Sequence, residues 1–181
     1  MTMKTKEITM IGLMTAITCI AGPLSLPLPF SPVPISLTNL AVYFSVYMIG
    51  MKRGTISYCV YLLLGLVGIP VFSAFTSGPA KLLGPTGGYL VGFLFMAVIA
   101  GWFVDRWNGK PLPSFIGMVI GTVVCYGFGT VWLAYQAKLG FGAALAAGVL
   151  PFVIGDVAKM VISILVGMPV RVRVKKAAMT E

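Results

Sequence analysis

The stretch PFVIGDVAKMVISILVGM, residues 151–168, decides the fold class of this protein. It is almost wholly apolar, and a helix rising about 1.5 Å per residue needs roughly 20 such residues to cross a bilayer core about 30 Å thick. Two charged residues, Asp156 and Lys159, nevertheless lie inside it. A charge at membrane depth is costly unless it is paired or faces protein or water. The stretch therefore predicts a membrane helix with one polar face turned into the protein.

The composition of the whole chain agrees with a lipid solvent. Hydrophobic residues make up 59% of the 181 residues and charged residues only 9%, and the mean hydropathy is +1.01. Soluble domains have about a quarter of their residues charged, because their surfaces must be hydrated. These values exclude an ordinary soluble domain.

Charged residues, Pro and Gly divide the chain into six apolar runs that leave no room for a soluble domain. The runs are residues 8–22, 35–51, 54–70, 87–104, 113–135 and 149–168. We therefore predict an all-α integral membrane protein, in which residues 1–181 form a single domain of six transmembrane helices.

The first run is short and is followed by PLSLPLPFSPVPIS, residues 23–36, which contains five prolines. Proline lacks a backbone N–H and clashes with the preceding turn, so this segment cannot continue a regular helix. Because the segment is too apolar for water, we predict a loop at membrane depth that packs on protein.

The basic residues predict how the chain is oriented. The chain has 13 Lys and Arg against 4 Asp and Glu, which gives a formal net charge of +9. The basic residues lie in short clusters between apolar runs, and this distribution argues against a nucleic-acid partner. If the N-terminus is cytoplasmic, the inner segments hold Lys4, Lys6, Lys52, Arg53, Arg106, Lys110, Arg171, Arg173, Lys175 and Lys176. The outer loops hold only Lys81 and Lys138. This asymmetry predicts an even number of spans with both termini in the cytoplasm.

Several kinds of chemistry lack the residues to carry them. The chain has no His, and Cys19, Cys59 and Cys125 stand singly in apolar runs, so we expect neither a metal site nor a disulfide framework. There is no phosphate-binding GxxxxGK[ST] motif. We therefore expect no cofactor and no enzyme activity. A channel would favour a ring of polar residues across several spans rather than one polar cluster towards the outer half, so substrate binding is favoured and a self-sufficient small-solute facilitator or channel is the alternative.

Asp156 and Lys159 are the first candidates for a binding site. Their separation of three residues puts both side chains on one helical face, within ion-pairing distance. Direct contact with a ligand is the favoured interpretation. The alternatives are a structural ion pair that fixes helix packing and a proton or ion relay.

A second candidate lies in GPTGGYL, residues 84–90, where the fourth run begins. Thr86 is placed to cap the helix, and Gly87 and Gly88 would let backbone N–H groups at the helix start approach an anion. The alternative is a tight turn with close helix packing, because Gly88 and Gly92 have GxxxG spacing.

Two further pairs of residues are candidates for interaction. Asn39 and Tyr43, at positions i and i+4 of the second run, either line a pocket near its outer end or make hydrogen bonds between helices. Gly12 and Ala16 in the first run have small-xxx-small spacing, which allows another helix to approach closely. That helix belongs either to this protein or to a partner.

The chain resembles the biotin-specific substrate-binding (S) components of energy-coupling factor (ECF) vitamin transporters, the BioY family. The resemblance covers nearly the whole chain, and GPTGGYL and GDxxK are its most specific motifs. One departure is Thr38, which follows Leu37 where the family often has Gln. The matching segments are PFSPVPISL, KRG, YLLLGLVGIPVF, LLGPTGGYLVGF and PFVIGDVAKM, in the family's order.

The resemblance implies a six-helix S-component fold that captures biotin with high affinity at the outer side of a bacterial cell membrane. It implies three partner subunits, a transmembrane coupling protein and two ATPases, with docking through Gly12 and Ala16. In such a site, Asp156 and Lys159 would bind either the ureido ring of biotin or its carboxylate. The implied substrate-binding residues are Asn39, Tyr43, Thr86, Gly87, Gly88, Tyr89, Asp156 and Lys159.

Overall fold

The structure, a computed structural model, describes residues 5–29 and 31–179, with side chains as far as residue 174. Of the basic residues in the orientation argument, Lys4 and the side chains of Lys175 and Lys176 lie outside this description. The elements are α1 (Thr5–Ala21), β1 (Ser25–Leu28), β2 (Ser31–Ser36), α2 (Thr38–Val67), α3 (Pro79–Leu83), α4 (Gly87–Arg106), α5 (Pro111–Ala137), α6 (Phe141–Gly148) and α7 (Val153–Met179).

Helix α2 is folded back on itself at Gly50. This residue has φ 83° and ψ 178°, far from helical values. A Cβ at Gly54 would lie 2.9 Å from the Cα of Val46, whereas residues eight apart in a straight helix are separated by about 12 Å. The two arms, residues 38–49 and 51–67, therefore pack side by side. They correspond to the second and third predicted spans.

The proline-rich segment forms a small antiparallel hairpin where we predicted a loop, so the fold is mostly helical rather than all-α. Strands β1 and β2 pair with Ser25 opposite Ser36 and Leu26 opposite Ile35. In a sheet of two strands, each strand has an unpaired edge, and Pro can occupy positions whose missing N–H faces that edge. The hydroxyl of Ser31 donates to the carbonyl of Ala147 at 2.8 Å, which ties the hairpin to α6.

The core lies where α4 packs between α2 and α5. Small residues allow the close approach of α4 and α5: a Cβ at Gly92 would lie 3.0 Å from the Cα of Cys125. The tyrosines of α2 fill the space on the other side, and their hydroxyls are satisfied. Tyr58 donates to the carbonyl of Leu90 at 2.7 Å, and Tyr61 donates to that of Val71 at 3.0 Å.

Three of the described helices are long and apolar enough to cross a membrane: α4, α5 and the Val153–Val174 part of α7. The exterior of the molecule is rich in apolar side chains, and Val67 and Ile154 are more than four-fifths exposed. Such a surface suits lipid rather than water. Helix α7 extends through Pro169 to Met179, beyond the predicted end of the last span. The number of six spans stays a prediction.

Candidate functional site

Asp156 and Lys159 form a buried ion pair on one face of α7. Nζ of Lys159 lies 3.1 Å from Oδ1 of Asp156, and the two residues are 9% and 6% exposed, respectively. The sequence prediction that these side chains are within ion-pairing distance is confirmed. Asp156 lies in the first turn of α7, near the positive end of the helix dipole.

Asn39, in the first turn of α2, binds both members of this pair. Its Nδ2 donates to Oδ1 of Asp156 at 2.7 Å, and its Oδ1 accepts a hydrogen bond from Lys159 at 3.0 Å. Sequence analysis left open whether Asn39 lines a pocket or makes hydrogen bonds between helices. It does both, because its amide joins α2 to α7 and also lines a cavity.

Two more groups complete what we call the polar cluster, which consists of Ser36, Asn39, Tyr126, Asp156 and Lys159. The carbonyl of Ser36 accepts a hydrogen bond from Nζ of Lys159 at 2.8 Å. The hydroxyl of Tyr126 donates to Oδ2 of Asp156 at 2.6 Å. All three N–H groups of the ammonium therefore have acceptors. The formal charges of the carboxylate and the ammonium cancel.

The polar cluster lies in the wall of what we call the central cavity. This cavity opens between the β-hairpin, the loop before α3, the start of α4, and helices α5 and α7. Aromatic and apolar side chains supply most of the remaining wall. The lining residues outside the cluster are Val33, Pro34, Thr38, Ser73, Thr86, Tyr89, Leu90, Phe93, Gly148 and Phe152.

The helix start of α4 contributes Thr86 and Tyr89 to the central cavity, but Gly87 and Gly88 are absent from its lining. A Cβ at Gly87 would lie 1.6 Å from the carbonyl oxygen of Leu82, and one at Gly88 would lie 2.3 Å from Cβ of Trp132. The structure thus favours the packing alternative for both glycines.

Three of the N–H groups at this helix start have backbone acceptors. Gly87 donates to the carbonyl of Gly84 at 3.0 Å, and Tyr89 and Leu90 both donate to that of Thr86. Thr86 does occupy the predicted N-cap position of α4, but its side chain makes no capping hydrogen bond. Backbone turns satisfy these groups without the hydroxyl.

Tyr43 is placed away from the cavity. It is fully buried, and its hydroxyl lies 2.5 Å from Oγ1 of Thr122 on α5. Of the two alternatives for Tyr43, the structure therefore favours hydrogen bonding between helices.

Sequence analysis missed Tyr126, Phe93 and Phe152. Tyr126 had a signal that was readable: a phenol in the middle of the apolar run 113–135 needs a hydrogen-bonding partner at membrane depth. The two phenylalanines had none, because Phe is common in any membrane helix.

The face of α1 that contains Gly12 and Ala16 lies on the outside of the molecule. Both residues are exposed, and nothing lies within 4 Å of a Cβ built at Gly12. The opposite face, with Ile11, Met14 and Thr15, is buried against α2. Internal packing therefore does not account for the small residues.

Comparison with known proteins agrees with this geometry. The family model described as the BioY family matches residues 1–176. The biotin transporter BioY2 of Lactococcus lactis subsp. cremoris is 34% identical over 165 residues, which cover 91% of this chain and 90% of that protein. The probable biotin transporter BioY of Pyrococcus horikoshii is 35% identical over 164 residues, with 91% and 95% covered.

A solved structure gives the same result for the fold. The 2.1 Å crystal structure of the S-component for biotin from an ECF-type ABC transporter superposes with a TM-score of 0.86. Its sequence is 30% identical, and the match covers 94% of this chain and 95% of that one. By sequence and by fold, this chain belongs to the BioY family.

Proposed function

We propose that this protein is the biotin-binding membrane subunit of an ECF-type transporter and takes up biotin from outside a bacterial cell. The observation that carries the proposal is the polar cluster, which has zero net formal charge and lies in the wall of a largely apolar cavity. It is a transport subunit and not an enzyme, as the names of its relatives indicate.

The chemistry of the cluster matches the ureido ring of biotin. The ring offers two N–H donors and one carbonyl acceptor. Oδ2 of Asp156 has one donor, Tyr126, among the described residues, and a carboxylate oxygen can accept two hydrogen bonds. The ammonium of Lys159 and the amide of Asn39 are the matching donors for the ureido carbonyl.

The charge of the cluster favours the ureido ring over the carboxylate of biotin. The ion pair between Asp156 and Lys159 is already neutral, so an anion placed there would bring an unbalanced charge into a buried site. We assign the carboxylate instead to the hydroxyls of Ser73 and Thr86, near the positive end of the α4 dipole. The rings and the tail would pack on Leu90, Phe93 and Phe152.

We further propose six spans, which are α1, the two arms of α2, α4, α5 and α7, with both termini in the cytoplasm. Contacts between chain segments that are predicted to share one side support this topology. At the inner side, Arg53 pairs with Glu7 at 2.6 Å. At the outer side, Gln136 donates to the carbonyl of Leu83 at 2.6 Å.

The partners in this proposal are a transmembrane coupling protein and two ATPase subunits, since the chain has no phosphate-binding motif of its own. The exposed face of α1 around Gly12 and Ala16 supports docking by close packing of a partner helix.

Isothermal titration of the detergent-solubilised protein with biotin tests the function. We expect saturable binding at low concentration, with one biotin per chain. A facilitator or channel would bind biotin at millimolar concentration or not at all, and that result would overturn the proposal.

A further inference from the structure

A second cavity lies behind the polar cluster, between α5, α6 and α7. Its volume is about 440 Å³, and its wall is almost entirely apolar, with Val119, Val123, Val149, Val157 and Met160 among the lining residues. We call it the apolar cavity.

Tyr126 and Asp156 line both the central cavity and the apolar cavity. Their side chains meet in the hydrogen bond from the Tyr126 hydroxyl to Oδ2 of Asp156. This bond therefore forms part of the partition between a cavity with polar groups and one almost without them.

We propose that Tyr126 is a positioning residue for biotin, a role that rests on the proposed function. Its hydroxyl fixes Oδ2 of Asp156 toward the central cavity. Tyr126 thus acts through Asp156 rather than as an independent ligand contact.

The hydrogen-bond pattern of the carboxylate supports this role. Oδ1 of Asp156 accepts hydrogen bonds from Asn39 and Lys159, at 2.7 and 3.1 Å. Oδ2 has Tyr126 as its only donor among the residues that the structure describes. Without the phenol, Oδ2 would border apolar surface with no donor, which is unfavourable for a charged oxygen. The carboxylate would then turn from the geometry that a ureido N–H requires.

The bond also connects two helices directly, α5 and α7. Tyr126 lies on α5 and Asp156 on α7, and the first residue is half-buried while the second is buried. A shift of α5 relative to α7 would therefore move the carboxylate of Asp156 and change its position relative to the bound ligand.

A double-mutant cycle distinguishes positioning from a general structural role. Biotin affinity is measured by isothermal titration for the full chain, Tyr126→Phe, Asp156→Asn and the double variant. We expect Tyr126→Phe to weaken binding at least fivefold in the parent and less than twofold in the Asp156→Asn background. A matched control is Tyr135→Phe on the same helix, where the side chain is 78% exposed, and it should bind like the parent.

Parent-like binding by Tyr126→Phe would overturn the inference, and so would an equal loss in both backgrounds. Absence of saturable biotin binding by the parent would instead overturn the proposed function. Should Tyr126→Phe fail to give monodisperse protein, Tyr126→Leu carries the same cycle, with the same expected coupling to Asp156→Asn.

Discussion

Asp105, at the end of α4, and Met51, just after the turn of α2, are joined by a hydrogen bond: Oδ2 of Asp105 accepts the backbone N–H of Met51 at 2.8 Å. The bond closes the turn at Gly50, from which the second arm of α2 begins. A Cβ at Gly50 would lie 2.6 Å from Oδ1 of the same carboxylate. The carboxylate thus both holds the turn and fills the space beside it.

The first prediction follows from this turn. Gly50→Ala should destabilise the protein by about 1–3 kcal/mol, because its backbone angles lie in a region essentially restricted to Gly. Thermal unfolding in detergent should show a lower midpoint. The control is Gly127→Ala in α5, where nothing lies within 4 Å of the added Cβ and Ala is the better helix former by about 0.5–1 kcal/mol. An unchanged midpoint for Gly50→Ala would contradict the turn as described.

The second prediction concerns the ion pair. Asp156→Asn and Lys159→Ala should each weaken biotin binding at least tenfold, or about 1.4 kcal/mol, because each removes a group proposed to meet the ureido ring. Titration calorimetry on monodisperse protein measures this. If both variants bind like the parent, the pair is structural. A charge-swapped double variant separates the two roles further, since an oriented ligand contact should not survive the exchange.

The third prediction concerns topology. In a background without the three native cysteines, Cys placed at Lys52 or Lys110 should react only with reagent on the cytoplasmic side. Cys at Lys81 or Lys138 should react only from outside. The expectation follows from the distribution of Lys and Arg between the loops. Labelling of positions 52 and 81 from the same side would be incompatible with six spans.

The fourth prediction concerns docking. The double substitution Gly12→Leu with Ala16→Leu should leave biotin affinity unchanged and sharply reduce ATP-dependent uptake, because two bulky side chains hold the partner helix away. Uptake is measured in liposomes that contain the complete complex. Gly142→Leu is the control, since this glycine is exposed on α6 and nothing lies within 4 Å of its added Cβ. Parent-like uptake by the correctly inserted double variant would exclude this docking face.

Local spacing made part of the site predictable. Asp156 and Lys159 are three residues apart in one helix, so their proximity follows from helix geometry alone. Tyr126 is 30 residues from Asp156 in sequence, and its contact depends on how α5 packs against α7. The spacing of residues within one helix does not predict how two helices pack against each other.

Two other features show why a pattern that is read correctly can still leave more than one structure open. The prolines between residues 23 and 36 do exclude a helix, but pairing of two edge strands can accept them as well as a loop can. Gly87 and Gly88 fit an anion site and close packing equally well in sequence. The carbonyl of Leu82 and the side chain of Trp132, which decide for packing, come from neighbouring elements.

Lys159 already has an acceptor for each of its three N–H groups, Ser36, Asn39 and Asp156. The ammonium of Lys159 is therefore fully hydrogen-bonded before any ligand binds, and its charge is balanced by Asp156. In the proposed binding mode, the ureido carbonyl takes the place of an existing acceptor of Lys159, whereas a ureido N–H adds a second hydrogen bond to Oδ2 of Asp156. We therefore expect only a small net gain in polar enthalpy on binding. We expect burial of the rings and the tail to supply most of the affinity, with a negative heat-capacity change on binding.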